Sequence, residues 1–252
     1  MEYMMENMTW PEVKEAMEKK RPLLFIVGSV EQHGPHLPIS TDLTIPVEIA
    51  KRVAEKVNGI VAPAVPYGYR SKPRSGGGER FIGTFSLSGE TLIHLTKDII
   101  KAYIQKGFSN IFVLDWHVEN VEFINEGLTL AVEETEGYQR KIIVVDNPNG
   151  LVDPQILDEM FEDDFPGWDR EHAAIFETSM MLYLKPDLVR QDKIISDESK
   201  NYKPYDILPP PADLVPDSGV LWHAEKASNE KGKKAAESMV DALADIIREE
   251  LG

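Results

Sequence analysis

The chain of 252 residues contains no cysteine. That excludes disulfide staples, thiolate metal sites and a cysteine nucleophile. Any metal must be held by imidazole nitrogen and carboxylate oxygen, a donor set suited to zinc, manganese and similar divalent ions. Positive charge is in deficit: 27 Lys and Arg against 43 Asp and Glu leave a formal net charge of -16. A field of that sign repels phosphate backbones and acidic lipid surfaces, so neither nucleic acid nor a membrane is an expected partner. No run approaches the roughly 20 apolar residues of a membrane span. The opening Met1-Glu2-Tyr3-Met4-Met5-Glu6 lacks the basic and apolar regions of a secretory signal. The expectation is a soluble, cytoplasmic protein. Histidine is also scarce, at 6 residues, which makes the position of each one informative.

A hydrophobic content of 42% is ordinary for a globular protein, and the length suits one domain over residues 1–252. Apolar runs alternate with helical patterns. Strands are expected at 22–27, 60–65, 110–114 and 141–146. Helices are expected at 10–20, 41–57, 88–106, 121–136, 173–184 and 225–251. Alternation of this kind argues an α/β fold with a mostly parallel sheet and helices on both faces. Residues 66–87 form a long loop holding Ser75-Gly76-Gly77-Gly78, which reads either as a flexible surface loop or as backbone able to approach a ligand closely. Residues 187–218 are proline-rich and irregular.

Two strand ends carry the chemistry. The first is followed by Gly28-Ser29-Val30-Glu31-Gln32-His33-Gly34-Pro35-His36 and then Thr41-Asp42. The third is followed by Asp115-Trp116-His117-Val118-Glu119-Asn120. In extended chain, residues two apart point to one side, so Glu31 with His33, and His117 with Glu119, form two carboxylate–imidazole pairs. Ligands in doubly wound sheets bind at the carboxyl ends of strands, where both pairs fall. Glu31, His33, Asp42, His117 and Glu119 are about the number of ligands that two neighbouring divalent ions need, with one carboxylate shared and a water between them. Asp42 is the natural bridge, because it alone has no partner two residues away. Taken singly, Asp42 would be a helix cap, Glu119 a helix-start carboxylate and each histidine a structural residue. Two such pairs after two buried strands are hard to obtain from packing alone. His172, among Trp168, Asp169, Glu171 and Glu177, is a candidate general acid or base, held protonated by its carboxylates. His36 reads as a partner of the ligands rather than a ligand, and His94 and His223 as structural.

The chain resembles the creatininase (creatinine amidohydrolase) family over nearly its whole length. The resemblance is carried by residues 28–38 with Thr41-Asp42, by Ser75-Gly76-Gly77-Gly78, Gly83-Thr84 and Ser86-Leu87, by His117-Val118-Glu119-Asn120, and by Trp168 and Glu171-His172 through 176–182. It implies a three-layer α/β/α sandwich and two divalent ions per subunit, zinc and often manganese. One ion would sit on Glu31, Asp42 and His117, and the other on His33, Asp42 and Glu119. It further implies proton relay by His172, catalytic participation of Glu119, and a small-molecule amide substrate bordered by Ser75, Gly76, Gly77, Trp116, Trp168, Asp169 and Glu177. Creatinine, opened to creatine, is the implied substrate, with a family deformylase or another carbon–nitrogen hydrolase as the alternative. Family members commonly form homohexamers. The chain departs from the family where Trp116 replaces a glycine and Val118 a tyrosine. It departs again at Asn147-Pro148-Asn149-Gly150, near where the family carries a tryptophan on a loop. The implied metal ligands are intact while the pocket walls differ.

Overall fold

Four short apolar stretches pair into one parallel sheet: β1 (Leu23–Val27), β2 (Ile60–Val61), β3 (Asn110–Asp115) and β4 (Lys141–Val145). The computed structural model describes residues 2–199, 202–211 and 213–251. The strand order is β2-β1-β3-β4, with Leu23 to Val27 of β1 in register with Ile111 to Asp115 of β3. Among the described residues, seven α-helices surround the sheet: α1 (Trp10–Glu18), α2 (Thr41–Val57), α3 (Gly89–Lys106), α4 (Val121–Glu133), α5 (Pro154–Phe161), α6 (Ile175–Leu184) and α7 (Asn229–Leu251).

Strand side chains alternate between two faces, so one sheet serves two cores. Leu24, Ile26, Phe112 and Leu114 pack with α2, α5, α6 and α7. Leu23, Phe25, Val27, Ile111 and Val113 pack with α1, α3 and α4. This is the α/β/α sandwich expected from the sequence. Because β2 lies on one side of β1 and β3 on the other, the connections after β1 and β3 diverge. They open a crevice at the carboxyl ends of those two strands, where α/β folds bind ligands.

Apart from end shifts, with α7 beginning at Asn229 rather than residue 225 and α4 ending at Glu133 rather than residue 136, the elements differ from expectation in three places. The second strand ends at Val61 rather than running on, because Pro63 has no N–H to give to a ladder. Ala62 still donates to the Leu24 carbonyl at 2.8 Å, and beyond Pro63 the chain rejoins the sheet edge at the Val27–Val65 bridge. The helix expected from residue 173 begins at Ile175, because Ala173 sits at φ 53° in the left-handed region. Helix α5 was not expected at all. Among the described residues of 187–218 there is no α-helix or strand; residues 200, 201 and 212 lie outside them.

Loop 66–87 is not a free surface loop. The Val30–Phe85 and Tyr69–Leu87 bridges pin it to the end of β1 and to itself, and Gly76, Gly77 and Gly78 are buried beneath the crevice. Gly28, at the end of β1, lets α2 press close: a Cβ there would lie 2.4 Å from the Asp42 carbonyl oxygen. Pro46, four residues on, has no N–H to occupy that carbonyl. The first turn of α2, carrying Asp42, is thereby seated directly over the strand end.

Candidate metal centre

The five residues singled out at the strand ends converge. His117 Nδ1 lies 3.1 Å from Glu31 Oε2 and 3.3 Å from Asp42 Oδ2. His33 Nε2 lies 3.2 Å from Asp42 Oδ1 and 3.5 Å from Glu177 Oε1. Asp42 therefore turns one oxygen to each histidine. All of these residues are buried. Three groups of three donors result among the described residues, Glu31–Asp42–His117, His33–Asp42–Glu177 and Glu31–His33–His172, and in each the ligating atoms lie within 4.8 Å of one another. Glu119 is placed differently. Its Oε2 is 3.4 Å from His117 Nε2, while its Oε1 accepts from the Ser75 hydroxyl and from the Lys72 N–H. Glu177 thus stands beside His33 and Asp42, where the family resemblance puts Glu119.

Backbone carbonyls set the tautomers. His33 Nδ1 is 3.1 Å from the Glu31 carbonyl and His117 Nε2 is 3.2 Å from the Tyr69 carbonyl. A carbonyl only accepts, so those nitrogens carry the protons. The bare nitrogens, His33 Nε2 and His117 Nδ1, then face Asp42. Lone pairs of two imidazoles and three carboxylates pointing at one another repel unless positive charge lies between them. Among the described residues, His33 Nε2 and Glu31 Oε1 have no hydrogen-bond partner although both are buried. The ionisation tendencies carry the same signature. Burial disfavours charge on His33, yet Asp42 and Glu177 outweigh it and raise its pKa well above the usual imidazole value. For His117, Glu119 and Glu31 overcome burial in the same direction. Burial raises the Glu31 carboxyl to about 7, against the pull of His117. Asp42 is held below the ordinary carboxylate range, because His33 and His117 outweigh its burial. The N and O donors of such a cluster suit hard-to-borderline divalent cations.

A shell of buried polar groups orients the donors. Asn120 donates 2.9 Å to Asp115 Oδ1 and 3.1 Å to the Gly28 carbonyl, and accepts 2.7 Å from the Tyr69 N–H. One side chain therefore ties the ends of β1 and β3 to the loop that carries the carbonyl partner of His117. Gln32 gives both amide hydrogens to carbonyls, to Gly76 at 3.1 Å and to Gly219 at 2.9 Å. The contact of 2.8 Å between His172 Nε2 and the Gln32 carbonyl must then be a donation by His172. Nδ1 of His172 is left as the proton acceptor. Burial, followed by the neighbouring His33, lowers the His172 pKa well below its usual value, so the ring is neutral. This corrects the expectation that carboxylates hold it protonated. The nearest carboxyls are engaged elsewhere: Glu171 Oε1 accepts from the Phe176 N–H and Glu177 Oε2 from the Ala173 N–H. Burial, and then Glu177, raises Glu171 well above the carboxylate range. The strained φ of Ala173, next to His172, is the sort of backbone cost found at functional sites.

The centre opens into a cavity of about 440 Å³. Of the expected substrate residues, Ser75, Trp116, Trp168, Asp169 and Glu177 line it. Gly76 lies behind Glu31: a Cβ there would stand 1.8 Å from Glu31 Oε1. Gly77 lies against Gln32, and neither glycine reaches the cavity wall. Trp168 is held edge-on by Phe161, Phe165 and Phe176. Asp169 accepts from Arg74 at 3.1 Å and from the Tyr202 hydroxyl. His36 bonds Thr178 at 2.9 Å and, among the described residues, joins no donor group. His94 is exposed on α3 and His223 pairs with Asp164. The roles of Gln32, Asn120 and Arg74 were not foreseen. Their one sequence signal is adjacency to Glu31, Glu119 and Ser75.

The family model described as creatinine amidohydrolase matches residues 6–247. Creatinine amidohydrolase of Pseudomonas putida is 38% identical over 97% of this chain and 95% of its own length. A hydrolase of Thermotoga maritima named for 3-dehydro-scyllo-inosose is 24% identical over 97% of this chain and 82% of its own length. A solved manganese form of creatininase superposes with a TM-score of 0.95 at 37% identity, covering 99% of both chains. With its sheet order, its strand-end donors and these likenesses in agreement, the chain belongs to the creatininase family.

Proposed function

We propose that this protein is a dinuclear metal-dependent amidohydrolase of a small cyclic amide, with creatinine as its first candidate substrate. The observation that carries the reading is Asp42, whose two oxygens face two bare imidazole nitrogens inside a buried carboxylate cluster. Glu31, Asp42 and His117 would hold one ion. His33 and Asp42 would hold the other, with Glu177 at the distance seen here and Glu119 as the carboxylate that Ser75 holds in reserve. Zinc and manganese both suit these donors. Such ions, when bound, polarise an amide carbonyl and make water nucleophilic near neutral pH.

The chain's own residues do the rest. His172 Nδ1 takes a proton and returns it to the leaving nitrogen, while the Gln32 carbonyl keeps Nε2–H in place. Trp168 offers an aromatic face to a flat ring. Ser75 and the Lys72 N–H fix the Glu119 carboxylate. A phosphate-bearing substrate, as in the nucleotide deformylase reading, finds no lysine or arginine on the cavity wall among the described residues. Another small neutral or cationic amide remains the second reading, favoured by the Trp116 and Val118 departures. Exposed Ile82 and Phe85, with Ile39 beside them, form an apolar patch that suits a homo-oligomer, hexameric by resemblance. No helix among the described residues is long and apolar enough to cross a membrane.

The test is chelation, reloading with zinc or manganese, and assay against creatinine, other cyclic ureides and N-formyl compounds. Activity should vanish and return with metal. Asp42→Ala should lose both ions together, with turnover down by more than about 10³-fold. Full metal occupancy in that variant would refute the shared bridge.

A further inference from the structure

The cavity has two halves of unlike chemistry. The inner half is the donor cluster. The outer half is built by the end of β4 and the turn after it. Val145 pairs in register with Leu114, so Asp146 leaves the sheet beside Asp115 and next to the wall formed by Trp116 and Val118. Asp146 lines the cavity as an exposed carboxylate with no ion pair or hydrogen bond among the described residues. Asn149 lines the same stretch, and its Oδ1 is shielded from water without any hydrogen-bond partner. Asn147 contributes nothing further, since its side-chain oxygen accepts from the Gly150 N–H of its own turn. The floor is apolar, formed by Trp116, Val118, Val121 and Pro148. Val118 is 62% exposed, while its neighbours His117 and Glu119 are buried.

One exposed acceptor without a donor, Asp146, therefore stands beside Asn149 over an apolar floor, in a cavity whose wall carries no lysine or arginine among the described residues. The nearby guanidinium of Arg74 is already paired with Asp169 and Asp206. A volume of about 440 Å³ is in the range that holds drug-sized ligands, more than a lone small ring needs. We infer that the outer half of the cavity is an acceptor subsite, in which Asp146 receives an amino, guanidino or similar cationic N–H-rich group at the end of the substrate remote from the reacting amide. The inference rests on the hydrolase reading of the inner half and narrows its substrate class. A cationic tail satisfies Asp146, its stem lies on Val118 and Val121, and an anionic tail is rejected by Asp146 and by the net charge of the protein.

The experiment is calorimetric titration of the metal-loaded full chain with two hydantoins, one carrying an aminopropyl chain and one a butyl chain of equal length. The amine should bind roughly threefold to tenfold more tightly at low salt, the range of a half-exposed charged hydrogen bond. The advantage should shrink as salt is added and should vanish in Asp146→Asn. Equal or weaker binding of the amine, or an advantage that survives Asp146→Asn, overturns the subsite, as does failure of both ligands to bind. Creatinine hydrolysis by the same preparation reports on the inner half alone. Its absence, with cyclic ureides and N-formyl compounds also left intact and the amine preference retained, would sink the hydrolase reading and leave the subsite standing.

Discussion

The inner and outer halves of the cavity are made by the same sheet edge under opposite constraints. At the ends of β1 and β3, Glu31, His33, Asp42 and His117 are buried, their protons are fixed by backbone carbonyls, and Asn120 and Gln32 hold the backbone that supplies those carbonyls. At the end of β4, Asp146 and Asn147 are exposed, and the side-chain bond of Asn147 stays within its own turn. A buried charge without a counterpart costs several kcal/mol, so the inner half tolerates almost no change in type or position. The outer half faces water and bears no such penalty. One fold can therefore keep a hydrolytic centre while its wall is rebuilt for another substrate. The replacements in this chain, Trp116, Val118 and the Asn147-Pro148-Asn149-Gly150 turn, fall on that wall.

The comparison breaks most visibly if His172 proves to be part of the metal cradle. Its Nε2 is spent on the Gln32 carbonyl, and although the ring also forms a donor group with Glu31 and His33, the role proposed for its free Nδ1 is proton transfer and not ligation. His172→Ala should lower turnover about 10²- to 10⁴-fold while metal content stays full. Elemental analysis beside single-turnover kinetics checks this, and loss of an ion would move His172 into the cradle. A smaller effect is expected from Gly76→Ala. The added methyl would stand 1.8 Å from Glu31 Oε1 and 2.5 Å from Ser71 Oγ, so Glu31 must swing away from His117. Metal affinity should fall roughly 10- to 100-fold, as when the support of a ligand is removed, and excess metal should restore turnover. Unaltered affinity in a competition titration would show that loop 66–87 yields, and that the inner half is looser than its packing implies.

Legibility in the sequence follows the same division. The strands β1, β3 and β4 and the helices α2 and α3 were readable because apolar period and caps agreed, as at Ser88 and Gly107 around α3. The convergence of Glu31, His33 and His117 was readable because spacing of two after a buried strand has few other causes, whereas Asp42 has no such partner and Glu119 joins none of the donor groups among the described residues. Helix α5 was not, although Asp153 caps it and Pro154 fills its first position. It is eight residues long, lying between a turn and the acidic Glu162-Asp163-Asp164, and so offers too little period to read. The place of Glu177 beside His33 was hidden because it depends on how α6 packs across α2, a long-range contact without a local pattern. The neutrality of His172 was hidden for a related reason. Nearby carboxyls in sequence suggested a proton, but burial and His33 decide against one.

The smallest expected effect tests the outer half most directly. Val118 stands between two buried residues, yet it is 62% exposed and lines the cavity. Val118→Ala removes two methyl groups from a wall that is already half in water. Fully buried, they would be worth about 1.6 kcal/mol, and at this exposure the change should stay below about 1 kcal/mol. The Michaelis constant should rise roughly twofold to fivefold with turnover and metal content near their original values. The neighbours guard that outcome, since His117 is held by the Tyr69 carbonyl and Glu119 by Ser75, neither through the valine side chain. A fall in turnover larger than the rise in Michaelis constant would mean that the wall and the cradle move together, and the two halves would then have to be treated as one.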